Sequence, residues 1–166
     1  MAEYFWKMVN AFQKNSLIPP VIRIFVLKAF GCNVSKTSRI GDGCYIGSNK
    51  ISIGERVFIN VGGFLDGSDE IVIGDFVRIG PFVRILTGTH EYKKNVIRRD
   101  FREKTIGKKV VVEKGCWIGV NVTILPGVTI KEGCVIGAGS VIVNDTESNG
   151  LYAGSPARRI KDLPTE

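Results

Sequence analysis

Aliphatic residues recur along this chain with a period of six. After Ile106 come Val112, Ile118, Ile124, Ile130, Ile136 and Ile142 without a slip. Four places beyond the first six of these stand Val110, Cys116, Val122, Val128, Cys134 and Ser140, all small or β-branched. The first half repeats the unit at Ile40, Ile46, Ile53, Ile59, Leu65, Ile73, Ile79 and Ile85, with one extra residue after Ile46 and two after Leu65. A helix drifts out of such a pattern because its own period is 3.6, whereas six is three strand periods and keeps every slot residue on one side. The pattern predicts a short strand and a corner per unit, with glycine at Gly107, Gly119 and Gly137 easing the corner. Three units close a triangular coil, so the fifteen slots make about five coils. The fold class expected is all-β: a parallel β-helix over residues 32–146. Counting slots in threes, Ile46, Leu65, Ile85, Ile118 and Ile136 share one face.

Residues 1–31 lie outside the repeat. Tyr4, Phe5, Met8, Val9 and Phe12 keep a helical spacing, and Pro19-Pro20 punctuates before the apolar run Val21 to Phe30. The reading favoured is an N-terminal helical cap over the open end of the solenoid, whose strand edges would otherwise recruit another chain. The alternative is a membrane-surface helix carried by Arg23 and Lys28. Residues 147–166 form a short C-terminal extension.

Composition narrows the field. The 166 residues are 44% apolar and 23% charged, which excludes intrinsic disorder. No apolar run reaches the roughly 18–20 residues of a membrane span, and Met1 to Trp6 lack the basic start of a secretory signal. A cytoplasmic protein is expected. The net charge of +7 suits an anionic partner. Residues 88–115 hold nine basic residues against four acidic ones, and Arg158, Arg159 and Lys161 add to the tail. No nucleic-acid motif or aromatic-basic interleaving accompanies them, which disfavours a nucleic acid and leaves an acidic membrane surface or a phosphorylated small molecule. Cys44, Cys116 and Cys134 each follow a slot aliphatic by four and are read as reduced interior filler. No ligand spacing for a metal is present.

One break in the repeat stands out. After Ile85 the unit ends at His90, the chain's one histidine, and the next slot in phase is Ile106. Residues 91–105 are expected to leave the solenoid as an extruded loop, and structureless loops of that length are usually functional. Imidazole exchanges protons near neutrality, so a histidine at the point where the repeat breaks into a charged loop is a candidate for chemistry. The corner after Leu65, with Asp66, Asp69 and Glu70, stands one coil earlier at the corresponding place. Carboxylates at such an edge can bind hydroxyls or orient the imidazole, against the plainer reading of a solvated turn.

These motifs resemble the hexapeptide-repeat acyltransferases, in the branch of sugar and xenobiotic O-acetyltransferases. The resemblance rests on Leu86-Thr87-Gly88-Thr89-His90-Glu91, Cys116-Trp117-Ile118-Gly119, Ile124-Leu125-Pro126-Gly127, Ile136-Gly137-Ala138-Gly139-Ser140 and Ala153-Gly154-Ser155-Pro156-Ala157-Arg158, and spans about residues 32–163. It implies a left-handed coil and acetyl-CoA as co-substrate without a metal. It makes His90 the base, with Asn60, Asp66 and Glu91 on the acceptor side. It places Trp117, Val120, Ala138, Asn144, Ser155, Arg158 and Lys161 along the groove for the pantetheine arm and nucleotide. It also implies a homotrimer with sites between subunits, and an acceptor that is a sugar or surface-polysaccharide precursor. Direct transfer in a ternary complex is favoured, since no cysteine falls beside His90. One departure stands at Val143-Asn144, where many relatives carry Thr-Lys. An amino-sugar N-acetyltransferase and a non-catalytic scaffold remain as alternatives; a zinc hydratase on the same solenoid needs three histidines and falls away.

Overall fold

The computed structural model describes residues 2–91, 99 and 102–165. Two helices, α1 (Ala2–Lys14) and α2 (Pro20–Ala29), precede a left-handed parallel β-helix. Its short strands stack into three faces. Face I carries Val34, Ile53, Ile73, Val112 and Ile130 inward. Face II carries Ile40, Ile59, Ile79, Ile118 and Ile136, and Tyr152 of the strand Gly150–Gly154 continues it. Face III carries Ile46, Leu65, Ile85, Ile124 and Ile142. Five coils are therefore complete and a sixth has begun. The strand Ala157–Asp162 then folds back antiparallel on Gly150–Gly154.

The slot residues and their four-on partners fill the interior, and nearly every one is fully buried. Cys44, Cys116 and Cys134 sit among them as free thiols, as the spacing anticipates, and Cys32 joins them. Burial pushes the Cys44 thiol up to about 11 and the Cys116 thiol up to about 12.

The stacking has a direction. The amide after each slot residue donates to the slot carbonyl of the next coil: Gly41 to Ile59 (2.7 Å), Asn60 to Ile79 (2.9 Å), Gly80 to Ile118 (2.8 Å). The slot carbonyls of the first coil have no preceding coil to donate to them. The helices supply the donors, one per face. Lys28 Nζ donates to the Val34 carbonyl (3.0 Å), Arg23 Nη1 to that of Ile40 (a long 3.5 Å), and Asn10 Nδ2 to that of Ile46 (2.8 Å). Asn10 Oδ1 also accepts the Ile46 amide (2.8 Å), so one side chain stands in for a strand. The expected cap is thus a hydrogen-bonded lid, in which α2 rests on faces I and II and α1 on face III. Asn10→Leu keeps the volume but strands a buried amide and a buried carbonyl at about 1–3 kcal/mol each. Its melting midpoint should fall by several degrees, at roughly 2–4 °C per kcal/mol for a chain of this size; an unchanged midpoint in a thermal melt contradicts this account of the cap.

Candidate active site

The chain leaves the solenoid where face III turns towards face I. Two residues after Ile85, Thr87 is fully buried; its hydroxyl accepts the Asp69 amide (3.0 Å) and its carbonyl accepts that of Lys108 (2.8 Å). The centre of this corner is Asp66, one coil earlier. Oδ2 accepts the amides of Thr87 (3.0 Å) and Gly88 (2.6 Å). Oδ1 accepts those of Gly67 (2.7 Å) and Ser68 (3.3 Å) and the Ser68 hydroxyl (3.2 Å). Burial alone would raise the Asp66 carboxyl. The donors from Thr87, Gly88, Gly67 and Ser68 outweigh it and hold the group below its ordinary value of 3.8. Gly88 admits no side chain, since a Cβ would stand 2.6 Å from Ser68 Oγ and 3.1 Å from Asp66 Oδ2.

Beyond this clamp Gly88–Thr89 pairs antiparallel with Ile106–Gly107, and His90 follows directly. The histidine is half-buried, with Nδ1 shielded from solvent and without a hydrogen-bond partner among the described residues. Glu91 is exposed. Most of the expected loop 91–105 lies outside the described residues.

The pairing corrects the slot count. Ile106 is not a rung: it belongs to the antiparallel ribbon outside the three faces, and Val34, before the counted run, is the rung that makes fifteen. The excursion therefore replaces no unit, and every later slot moves by one face. Ile118 and Ile136 stand on face II beside Ile59 and Ile79, while Ile124 and Ile142 continue the column of Leu65 and Ile85. The spacing of Ile106 matched the hexad by coincidence, and periodicity carries no register across an excursion.

Two edges thus gather the candidate residues. Asp66, His90 and Asn144 belong to the edge between faces III and I. Asn60, Val120 and Ala138 belong to the edge between faces II and III, so Asn60 stands with the groove residues and apart from His90. Asn60 Oδ1 accepts the next amide, that of Val61 (2.8 Å). Val120 and Ala138 are exposed, and the Val120 carbonyl accepts the Gly139 amide (2.9 Å). The glycines between them have a structural cause: a Cβ on Gly119 would stand 2.8 Å from the Ala138 nitrogen in the next coil. Trp117 is exposed on the outside of face II, in register between Arg78 and Val135.

One residue of this edge escaped the sequence reading. Phe82 has a φ of 57°, a region costly for a bulky side chain, yet its ring is exposed and lies over Gly62. The equivalent corner positions are Gly43, Gly62, Asn121 and Gly139, all with positive φ, so an aligned column of the repeats would have exposed it.

At the C-terminal end Asn144 and Arg158 line one cleft of about 220 Å³, with Asp145, Tyr152 and Arg159. Ser155 stands in the exposed turn between the last two strands, and Lys161, beyond a bulge opposite Leu151, does not line the cleft. Arg159 is bound within the fold, to Asp162 Oδ1 (2.6 Å), the Tyr152 hydroxyl (3.1 Å) and the Glu147 carbonyl (3.1 Å). Among the described residues no group of three His, Cys, Asp or Glu could hold a metal ion.

Comparison with known proteins agrees with this architecture. Residues 109–144 match the family described as bacterial transferase hexapeptide (six repeats). The galactoside O-acetyltransferase of Lactococcus lactis is 30% identical, over 93% of this chain and 76% of its own. That of Escherichia coli is 40% identical over 70% of this chain, which spans 56% of the longer relative. A hexapeptide-repeat acetyltransferase from Vibrio cholerae, complexed with acetyl-CoA, superposes with a TM-score of 0.87 at 30% identity, covering 98% of this chain and 87% of that one. A maltose O-acetyltransferase from Clostridium difficile gives 0.85 at 29%, with the same coverage. With fifteen stacked rungs, an excursion that opens at a histidine, and relatives matched along almost its whole length, this chain belongs to the hexapeptide-repeat transferase family.

Proposed function

We propose that the protein is an acetyl-CoA-dependent O-acetyltransferase acting on a hydroxyl of a sugar or surface-polysaccharide precursor, with His90 as general base. The observation that carries this reading is the Asp66 clamp, which holds the two residues before Thr89 and so presents the imidazole at the edge of the solenoid. In the reaction an imidazole nitrogen takes the acceptor hydroxyl proton as the oxygen attacks the thioester carbonyl. The tetrahedral intermediate collapses with cleavage of the C–S bond, and the proton passes from the imidazole to the departing CoA sulfur.

The Val120 and Ala138 amides suit the pantetheine arm, with Trp117 as a wall. Asn144, Ser155, Arg158 and Lys161 provide polar and cationic groups for the nucleotide end. Asn60 and Glu91 are assigned to the acceptor, and Phe82 adds an apolar platform for its ring face. Asp66 supports the acceptor site through the turn it holds, since its oxygens are already occupied by five donors. Because His90 and Asn60 stand on different edges of one prism, a complete site joins the His90 edge of one subunit to the Asn60 edge of the next, and a closed homotrimer provides that contact. The buried Cys44 and Cys116 thiols, held protonated near neutrality, favour direct transfer over an acyl-enzyme.

The test is release of free CoA thiol from acetyl-CoA over a panel of sugars, glycans and amino-sugars. Turnover with a hydroxyl acceptor is the expected result. Turnover with amino-sugars alone makes the enzyme an N-acetyltransferase, and absence of turnover with every acceptor leaves a scaffold.

A further inference from the structure

The N-terminal lid faces two ways. Its inner side seals the first coil with polar groups, for Asn10, Gln13 and Arg23 are all buried. Its outer side is apolar. On α2, Val21 and Phe25 are 76% and 72% exposed and Ile22 is exposed beside them, while Leu17, in the connection from α1, is 85% exposed. On α2 Ile24 and Leu27 are buried beside Arg23, so the outward Val21, Ile22 and Phe25 make the helix apolar on both sides, where a surface helix is ordinarily polar outside. Val21 and Phe25 line a groove of about 450 Å³ together with Ile24, Lys28 and Lys36. The charge of this end is one-sided as well: between Glu3 and Asp42 the chain carries six cations and no acidic residue. Although Arg23 is buried and Lys28 is bound to the Val34 carbonyl, Lys7, Lys14, Lys36 and Arg39 are exposed.

We propose that this outer face seats the protein on an anionic lipid bilayer, with Leu17, Val21, Ile22 and Phe25 entering the boundary between headgroups and acyl chains and Lys36 meeting lipid phosphate. Charge selects this occupant. A second copy of the same face would set cations against cations, whereas an anionic bilayer complements both the apolar patch and the surplus charge. Neither helix is long and apolar enough to cross a membrane, so the attachment is peripheral and reversible. The inference rests on the lid alone and is independent of the transferase reading.

The experiment is co-sedimentation of the full chain with vesicles of phosphatidylcholine, with and without phosphatidylglycerol. Binding is expected to rise with the phosphatidylglycerol fraction and to weaken with added salt. Lys36→Glu should lower affinity for the anionic vesicles by about fivefold or more. The double variant Val21→Asp/Phe25→Glu should lower it at least tenfold while keeping the wild-type melting midpoint and oligomeric mass, since both side chains are solvent-facing. Failure of the wild type to bind anionic vesicles at low salt overturns the proposal, as does a double variant that binds like wild type. A double variant that loses binding together with a change in oligomeric mass also overturns it, because the face is then an interface between subunits.

Discussion

His90→Ala is expected to lower kcat by about 10²–10⁴-fold, the range associated with removal of a general base, while the KM for acetyl-CoA stays near the wild-type value. In the proposed reaction the imidazole takes the acceptor proton and holds neither the pantetheine arm nor the nucleotide, so its loss removes proton transfer and leaves thioester binding in place. Stability should move the other way or not at all. Nδ1 is buried without a partner among the described residues, and removing such an atom relieves a desolvation cost. A variant with wild-type kcat refutes the role of His90. A variant that loses activity along with its melting midpoint marks the residue as structural. His90→Gln, which keeps polarity without useful basicity, should be as inactive as the alanine variant.

The second large effect is expected at Asp66. Asp66→Asn is nearly isosteric, but the carboxylate accepts from amides on both oxygens. An amide side chain must turn its NH2 towards one of those sets, placing donor against donor whichever way it flips. Two part-buried amides then lose their acceptor, at about 1 kcal/mol or more each. Since the Thr87 and Gly88 amides belong to the turn that presents His90, kcat should fall by about 10²-fold, the scale of an ångström-sized misplacement of a reacting group, with acetyl-CoA KM little changed. The stability difference from wild type carries a pH signature. The Asp66 carboxyl is held below its ordinary value of 3.8, so its contribution is complete above that pH and is lost as pH falls through the lowered value. Denaturation measured against pH should show wild type and Asp66→Asn converging below pH 3.8 and separated at neutrality. A constant separation down to strong acid contradicts the clamp. An Asp66→Asn variant with an unaltered melt but a raised acceptor KM instead assigns Asp66 to the acceptor.

Much of this was legible in the residues, and the misses have specific causes. The rungs were readable because each must place an aliphatic group in the same narrow interior, so Ile118, Ile124 and Ile130 record their burial in their own spacing. The cysteines were readable for the same reason. Asp66 was singled out by its corner, yet its chemistry was not visible: an aspartate that binds an acceptor and one that gathers backbone amides look alike until Thr87 and Gly88 are brought beside it. Asn10 gave no signal, because its partner at Ile46 is 36 residues away and belongs to another element.

What the sequence by itself determined is the solenoid, the helical lid and the point where the repeat opens at His90, since each is a local rule of burial written residue by residue. What only the tertiary structure decided is which edge each group occupies and which face of the lid is left bare. Ile106 kept the phase of six and still fell outside the stack, because the partner of a strand after an excursion is chosen by pairing with distant residues, here Val112 with Ile73. The placement of Val120 and Ala138 on the Asn60 edge follows from that one long-range pairing, whereas the separation of Asn60 from His90 is already written in the slot spacing of the first half.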